Sequence, residues 1–148
     1  LISGAGGIIG VVFSRFVLIL VPITLLLFEI SEFSLYTIHM ELNQLNSKVE
    51  IVPVLSTITN FYHLKKIIKR YSIDTIYHAA AYKHVPMLEM NIVSGVYNNV
   101  IGTLNLLEAS RNLYNQMPTD WKKNFIFYHA YILCPISRCM AVCSNLFL

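Results

Sequence analysis

The run Ser3-Gly4-Ala5-Gly6-Gly7-Ile8-Ile9-Gly10 limits this chain more than any other feature, because it joins a strand-like start at Ile2 to a helix-length segment from Ile8 to about Leu20. A strand that turns sharply into a helix gathers the helix's unpaired N–H groups at one point. Glycine then lets a diphosphate approach the backbone with no β-carbon in the way. Nineteen positions after Gly10, Glu29 closes the apolar run Leu25-Leu26-Leu27-Phe28. A carboxylate at the end of a second strand can accept hydrogen bonds from both hydroxyls of an adenosine ribose. Glycine triplets with these gaps also occur in ordinary loops, so the weight rests on the strand, helix and strand that surround this one.

The 148 residues are 55% hydrophobic and 13% charged, which is far from disorder and enough for one core. The formal charge of +3 is not gathered into a patch. Lys65, Lys66, Lys69 and Arg70 fall at helical spacing and read as a solvated helix face, so no nucleic-acid partner is expected. No secretory signal is read at Leu1, and the chain opens inside a strand as an excised piece would. Val11 to Phe28 approaches the length of a membrane span, but Arg15 and Pro22 suit a helix, a loop and a strand better. Cys134, Cys139 and Cys143 have gaps that fit no usual zinc spacing, and no histidine follows them, so no metal site is expected. Their odd number argues for a reducing compartment.

Strand and helix alternate along the rest of the chain. Ile23 to Phe28 reads as a buried strand, Ser31 as the cap of a helix from Glu32 to about Leu45, and Asn46 and Ser47 as its end. Val49 to Leu55 is a third strand, closed by the polar group Ser56 to Asn60, where an adenine would rest. Asn60 caps a helix from Phe61 to Tyr71 with Leu64, Ile67 and Ile68 as its buried stripe. Ile73 to His78 is a fourth strand feeding Ala79-Ala80-Ala81, whose small side chains suit either a ligand crevice or close helix packing. A loop from Tyr82 to Pro86, one long helix from about Val93 to Leu113, and a fifth strand from Phe125 follow. The expected fold is α/β, a Rossmann-like doubly wound parallel sheet cut after about the fifth strand.

Four segments resemble the extended short-chain dehydrogenase/reductases, in the CapD-like branch of polysaccharide-biosynthesis nucleotide-sugar 4,6-dehydratases. They are residues 3 to 10; Leu27-Phe28-Glu29-Ile30-Ser31-Glu32-Phe33; His78-Ala79-Ala80-Ala81-Tyr82-Lys83-His84-Val85-Pro86; and Asn98-Asn99-Val100-Ile101-Gly102-Thr103. The third is the most specific to the branch. The resemblance implies NAD or NADP as cofactor and a UDP-linked N-acetylhexosamine as substrate of the full-length enzyme. That sugar is oxidised at C4, loses water across C5 and C6, and regains the hydride at C6. It implies that Gly4, Gly7, Ile8, Ile9 and Gly10 border the pyrophosphate, that Glu29 and Ser31 meet the ribose, and that Thr57 and Ile58 meet the adenine. Ala79, Ala80 and Ala81 would flank the nicotinamide ribose, and Lys83 the cofactor or sugar diphosphate, with His84 and Asn99 on the substrate side. A cytoplasmic location is implied, at the inner-membrane face in full-length members. Membrane association and a homo-oligomer are left open.

Several residues depart from the family pattern. Thr57 stands where an aspartate usually contacts the adenine, and Glu29 where an aspartate usually contacts the ribose. A carboxylate at that place repels a 2′-phosphate, which favours NAD over NADP. Counting on from Asn124, Tyr131 and Ile132 stand where an aspartate and a lysine belong, and Met140 and Ser144 where the family has its Tyr-or-Met and lysine pair. Serine has no charge to hold the nicotinamide ribose or to lower a neighbour's pKa. The chain therefore reads as an NAD(P)-binding domain over residues 1–128 with a divergent apolar tail over 129–148, inactive by itself. The other readings are a noncatalytic nucleotide-binding remnant or scaffold, a nucleotide-sugar epimerase of the same superfamily, and a membrane-associated hairpin.

Overall fold

A computed structural model describes residues 1–45 and 48–116, and the backbone of 126–129. Within Thr24–Glu29 the residues Leu25 to Phe28 are an unbroken apolar run, and a strand of that kind must be covered on both faces. It forms β2, central to one half of a parallel sheet. Along it Leu25 and Leu27 enter one core cluster and Leu26 and Phe28 the other, as the two-residue period of a strand requires. β1 (Ile2–Ser3), β3 (Glu50–Leu55), β4 (Thr75–His78) and β5 (Ile126–His129) complete the sheet in the order β3-β2-β1-β4-β5. All pairs are parallel, with Ile2 opposite Leu27 on one side and Tyr77 on the other.

Helices cover both faces. α1 (Ile8–Ile19) and α2 (Glu32–Leu45) supply Val17, Leu18, Leu35, Ile38 and Leu42 to the cluster around Leu25 and Leu27. On the opposite face α3 (Phe61–Arg70) contributes Leu64, Ile67 and Ile68, while its lysines point outward as the spacing predicts. Asn60 caps α3 by accepting from the His63 N–H at 3.2 Å, and Ser31 Oγ accepts from the Ser34 N–H at 3.3 Å at the start of α2. The stretch Val11 to Phe28 is a helix, a turn and a strand. Among the described residues no helix is long and apolar enough to cross a membrane.

Three expectations need correction. Ile23 lies outside β2 and is 92% exposed, because the strand begins only after Pro22, at Thr24. Val85 and Pro86 belong to a helix, α4 (Val85–Met90), with proline in the first turn where its missing N–H costs nothing. The single long helix is also subdivided into α5 (Ile92–Val96), a π-turn (Tyr97–Ile101) and α6 (Gly102–Gln116). Asn91 separates α4 from α5: its Nδ2 donates to the Met87 carbonyl at 2.9 Å, so its side chain competes with the helix ladder. β5 covers Ile126–His129. Asn46, Ser47, Phe125 and the tail residues Tyr131, Ile132, Cys134, Cys139, Met140, Cys143 and Ser144 lie outside the described residues.

Candidate dinucleotide site

The carboxyl ends of β1, β2, β3 and β4 open on one cleft of about 210 Å3, lined by Gly4, Gly6, Gly7, Phe28, Glu29, Ile30, Ser34, Ser56, Thr57, Ile58, Ala79, Ala80, Ala81, Tyr82 and Asn98. The chain moves outward from β1 to β3 and then returns to β4 on the other side of β1. That reversal leaves a crevice at the strand ends, where sheets of this order take ligands.

Its centre is the turn from β1 into α1. Gly4 adopts φ +69°, and a β-carbon on it would lie 2.7 Å from the Ala80 backbone. The Gly4 N–H donates to the Phe28 carbonyl at 2.8 Å and its own carbonyl accepts from Gly7 N–H at 3.1 Å, closing the turn. Gly7 then precedes α1, and no side chain caps that helix start. Ile8 and Ile9 form its first turn, outside the cleft lining, with the Ile8 side chain exposed to solvent. Gly10 is buried behind the turn, where a β-carbon would collide with the Gly4 carbonyl oxygen. Its role in the geometry is to let α1 press onto the turn.

Glu29, 8% exposed, ends β2 beside this turn. Its Oε2 accepts from the Gly6 N–H at 2.9 Å, and its Oε1 accepts from Ile30 N–H at 2.9 Å and Ser31 N–H at 3.0 Å. A carboxylate has about four lone-pair sites, so one remains for a ligand hydroxyl. The one methylene by which glutamate exceeds aspartate extends its reach toward Gly6. Ser31 itself stands outside the lining, capping α2.

On the β3 side, Thr57 Oγ1 lies 2.9 Å from Thr59 Oγ1 and accepts from Thr59 N–H at 3.2 Å, while Ser56 Oγ lies 2.8 Å from His63 Nδ1. Asn105 on α6 donates to the carbonyls of Ile58 and Thr59 at 3.3 and 3.1 Å and so pins that loop. On the β4 side, Ala79 N–H donates to the Ser3 carbonyl at 2.9 Å. Asn99 holds both backbone groups of Tyr82: Oδ1 accepts its N–H at 2.8 Å and Nδ2 donates to its carbonyl at 3.0 Å. Lys83 is half-buried outside the lining, and that burial pushes its ammonium pKa below the ordinary lysine value. His84 is exposed just before α4.

The cleft thus brings together Gly4, Gly7, Glu29, Thr57, Ile58 and the three alanines, and leaves Ile8, Ile9, Gly10, Ser31, Lys83, His84 and Asn99 around it. Sequence reasoning gave no ligand contact to Gly6, Phe28, Ile30, Ser34, Tyr82 or Asn98, and reached Ser56 only as the start of the polar group beside the adenine. Ile30 is the first residue past β2, so the rule that ligands sit at strand ends could have found it. Among the described residues no group of His, Cys, Asp and Glu is arranged to hold a metal ion.

The family model for polysaccharide biosynthesis proteins matches residues 1–116. The capsular polysaccharide biosynthesis protein CapD of Staphylococcus aureus is 36% identical over 112 residues, 75% of this chain and 19% of that protein. A UDP-glucose-4-epimerase from Stenotrophomonas maltophila, solved with bound NAD and formylated UDP-arabinopyranose, superposes with a TM-score of 0.66 at 19% identity, over 76% of this chain and 33% of that one. The dTDP-glucose 4,6-dehydratase DesIV of Streptomyces venezuelae, solved with NAD bound, gives a TM-score of 0.62 at 21% identity, over 76% of this chain and 35% of that one. The chain therefore spans about a fifth of the curated relative and a third of these solved chains. Its Rossmann-like sheet, its glycine turn and the extent of the match agree: the chain belongs to the polysaccharide biosynthesis protein family, in the CapD-like branch of the extended short-chain dehydrogenase/reductases.

Proposed function

We propose that this chain is the nicotinamide-dinucleotide-binding portion of a nucleotide-sugar 4,6-dehydratase for polysaccharide or glycan biosynthesis, with a UDP-N-acetylhexosamine as substrate of the whole enzyme. The observation that carries the reading is the buried Glu29 carboxylate beside an uncapped helix start, both at one sheet-end cleft. An anion at the first turn of α1 meets unpaired N–H groups and the positive end of the helix dipole. Gly4 and Gly7, with Ile8 and Ile9, border the pyrophosphate, and Gly10 keeps α1 close. Glu29 takes the adenosine ribose with Ser31 behind it, and Thr57 and Ile58 flank the adenine. Ala79, Ala80 and Ala81 leave room for the nicotinamide ribose. Lys83 and His84 stand toward the sugar nucleotide, and Asn99 acts there through the Tyr82 backbone it holds.

When bound, the dinucleotide supplies hydride acceptance and return. The protein's share in this segment is to hold it, orient it and keep one carboxylate against its ribose. NAD is favoured over NADP, because Glu29 repels a 2′-phosphate and, among the described residues, no Lys or Arg lines the cleft. Two solved chains of the same fold hold NAD, which supports a nicotinamide dinucleotide as the cofactor class. Ile132 and Ser144 replace the lysines of the family pattern, which favours a chain that binds the cofactor without turnover.

Calorimetric titration with each coenzyme tests the reading. NAD+ binds, NADP+ binds at least about tenfold more weakly, and UDP-N-acetylglucosamine with NAD+ gives no 4-keto product. Absence of affinity for both coenzymes would sink the proposal, and turnover would remove its claim of inactivity.

A further inference from the structure

Beneath the cleft a buried imidazole joins strands to helix. His78 ends β4, one residue before the alanines, and is 1% exposed. Ser3, the last residue of β1, is fully buried with its Oγ 2.6 Å from His78 Nδ1. Across the ring, Nε2 lies 2.9 Å from Thr103 Oγ1, which donates to the Asn99 carbonyl at 2.6 Å. The proton directions follow from that last bond. Thr103 spends its only proton on Asn99, so its oxygen accepts from His78, and Nε2 must carry the hydrogen. Nδ1 is then the acceptor for the Ser3 hydroxyl, and one neutral tautomer satisfies the whole chain of bonds.

The two ends of this chain belong to opposite walls of the site. Ser3 directly precedes Gly4 of the phosphate turn. Thr103 follows the π-turn, in which Asn98 lines the cleft and Asn99 holds Tyr82. π-turns inside helices need a local reason to persist, and here the Asn99 carbonyl is taken by the Thr103 hydroxyl. We propose that His78 is a positioning residue for the nicotinamide half of the cleft: acting through Thr103, it sets the π-turn and with it Asn98 and the Tyr82 backbone. The inference rests on the dinucleotide reading above. The adenosine half, formed by Glu29 and Ser56 to Ile58 at the ends of β2 and β3, lies outside this relay.

That division gives the test, made on the full 148-residue chain with ADP and NAD+ as probes. Thr103→Val keeps the side-chain shape and removes the acceptor. It should weaken NAD+ binding about tenfold while ADP affinity stays unchanged, and Thr103→Ser should restore NAD+. Unchanged NAD+ affinity in Thr103→Val, or an equal loss for ADP and NAD+, overturns the positioning role. The unaltered chain provides an independent readout, since 15N spectra of His78 should report a neutral ring with its proton on Nε2. A proton on Nδ1, or an imidazolium, overturns the relay without any variant. An unaltered chain that binds neither ADP nor NAD+ rejects the site reading itself, whereas binding of both without the split rejects only the role of His78.

Discussion

Gly10 has no side chain to place, because the Gly4 carbonyl stands where its β-carbon would be. The backbone there cannot yield without opening the phosphate turn, so Gly10→Ala should cost about 3 kcal/mol in urea denaturation. A loss within experimental error would mean that α1 does not press on the turn. Val21 is the opposite case: a β-branched residue at φ +49°, exposed in the link from α1 to β2. Val21→Gly should raise stability by about 1 kcal/mol, net of the freedom glycine adds to the unfolded chain, and a lower melting temperature would contradict that account. At this scale the sequence was legible where chemistry and spacing coincide, as in Gly4, Gly7 and Glu29. It was silent where a contact depends on distant backbone. Nothing local tells that Glu29 reaches Gly6 N–H, or that Asn98 and Tyr82 come to the same wall.

Among the elements, α3 and β2 were readable because each carries one dominant period: a three-to-four-residue stripe in α3, a solid apolar run in β2. The segment from Val85 to Gln116 was not, since α4, α5, the π-turn and α6 share one apolar pattern and differ in backbone bonding. Elements also meet through charge. Arg15 on α1 donates to Glu41 on α2 at 2.6 Å, and this bond holds the Glu41 carboxyl below the usual carboxylate range. A lowered folded-state pKa stabilises the native chain above the unfolded value, and that contribution is lost as pH falls through the folded one. The pair is solvent-exposed, so the effect is small and screened by salt. Thermal melts at low salt should therefore show a wild-type advantage over Glu41→Gln near neutral pH that is lost in acid, as pH falls below the ordinary carboxylate range. An advantage that persists in acid would show that the bond is not what Glu41 contributes.

For the whole molecule, the strand order places four carboxyl ends beside one another, and the site is a consequence of that order more than of any one residue. Alternating strands and helices made the parallel sheet legible from sequence, while the precise contents of the cleft required the crossover back to β4. Titration of the 15N-labelled chain with NAD+ tests the central claim most directly, because each described backbone N–H reports its own place. The account predicts shifts at Gly6, Gly7 and Ile8, at Glu29 to Ser31, at Ser56 to Ile58 and at Ala79 to Tyr82, with the outer face of α3 unmoved. Shifts confined to Lys65, Lys66, Lys69 and Arg70, or none at saturating NAD+, would contradict it.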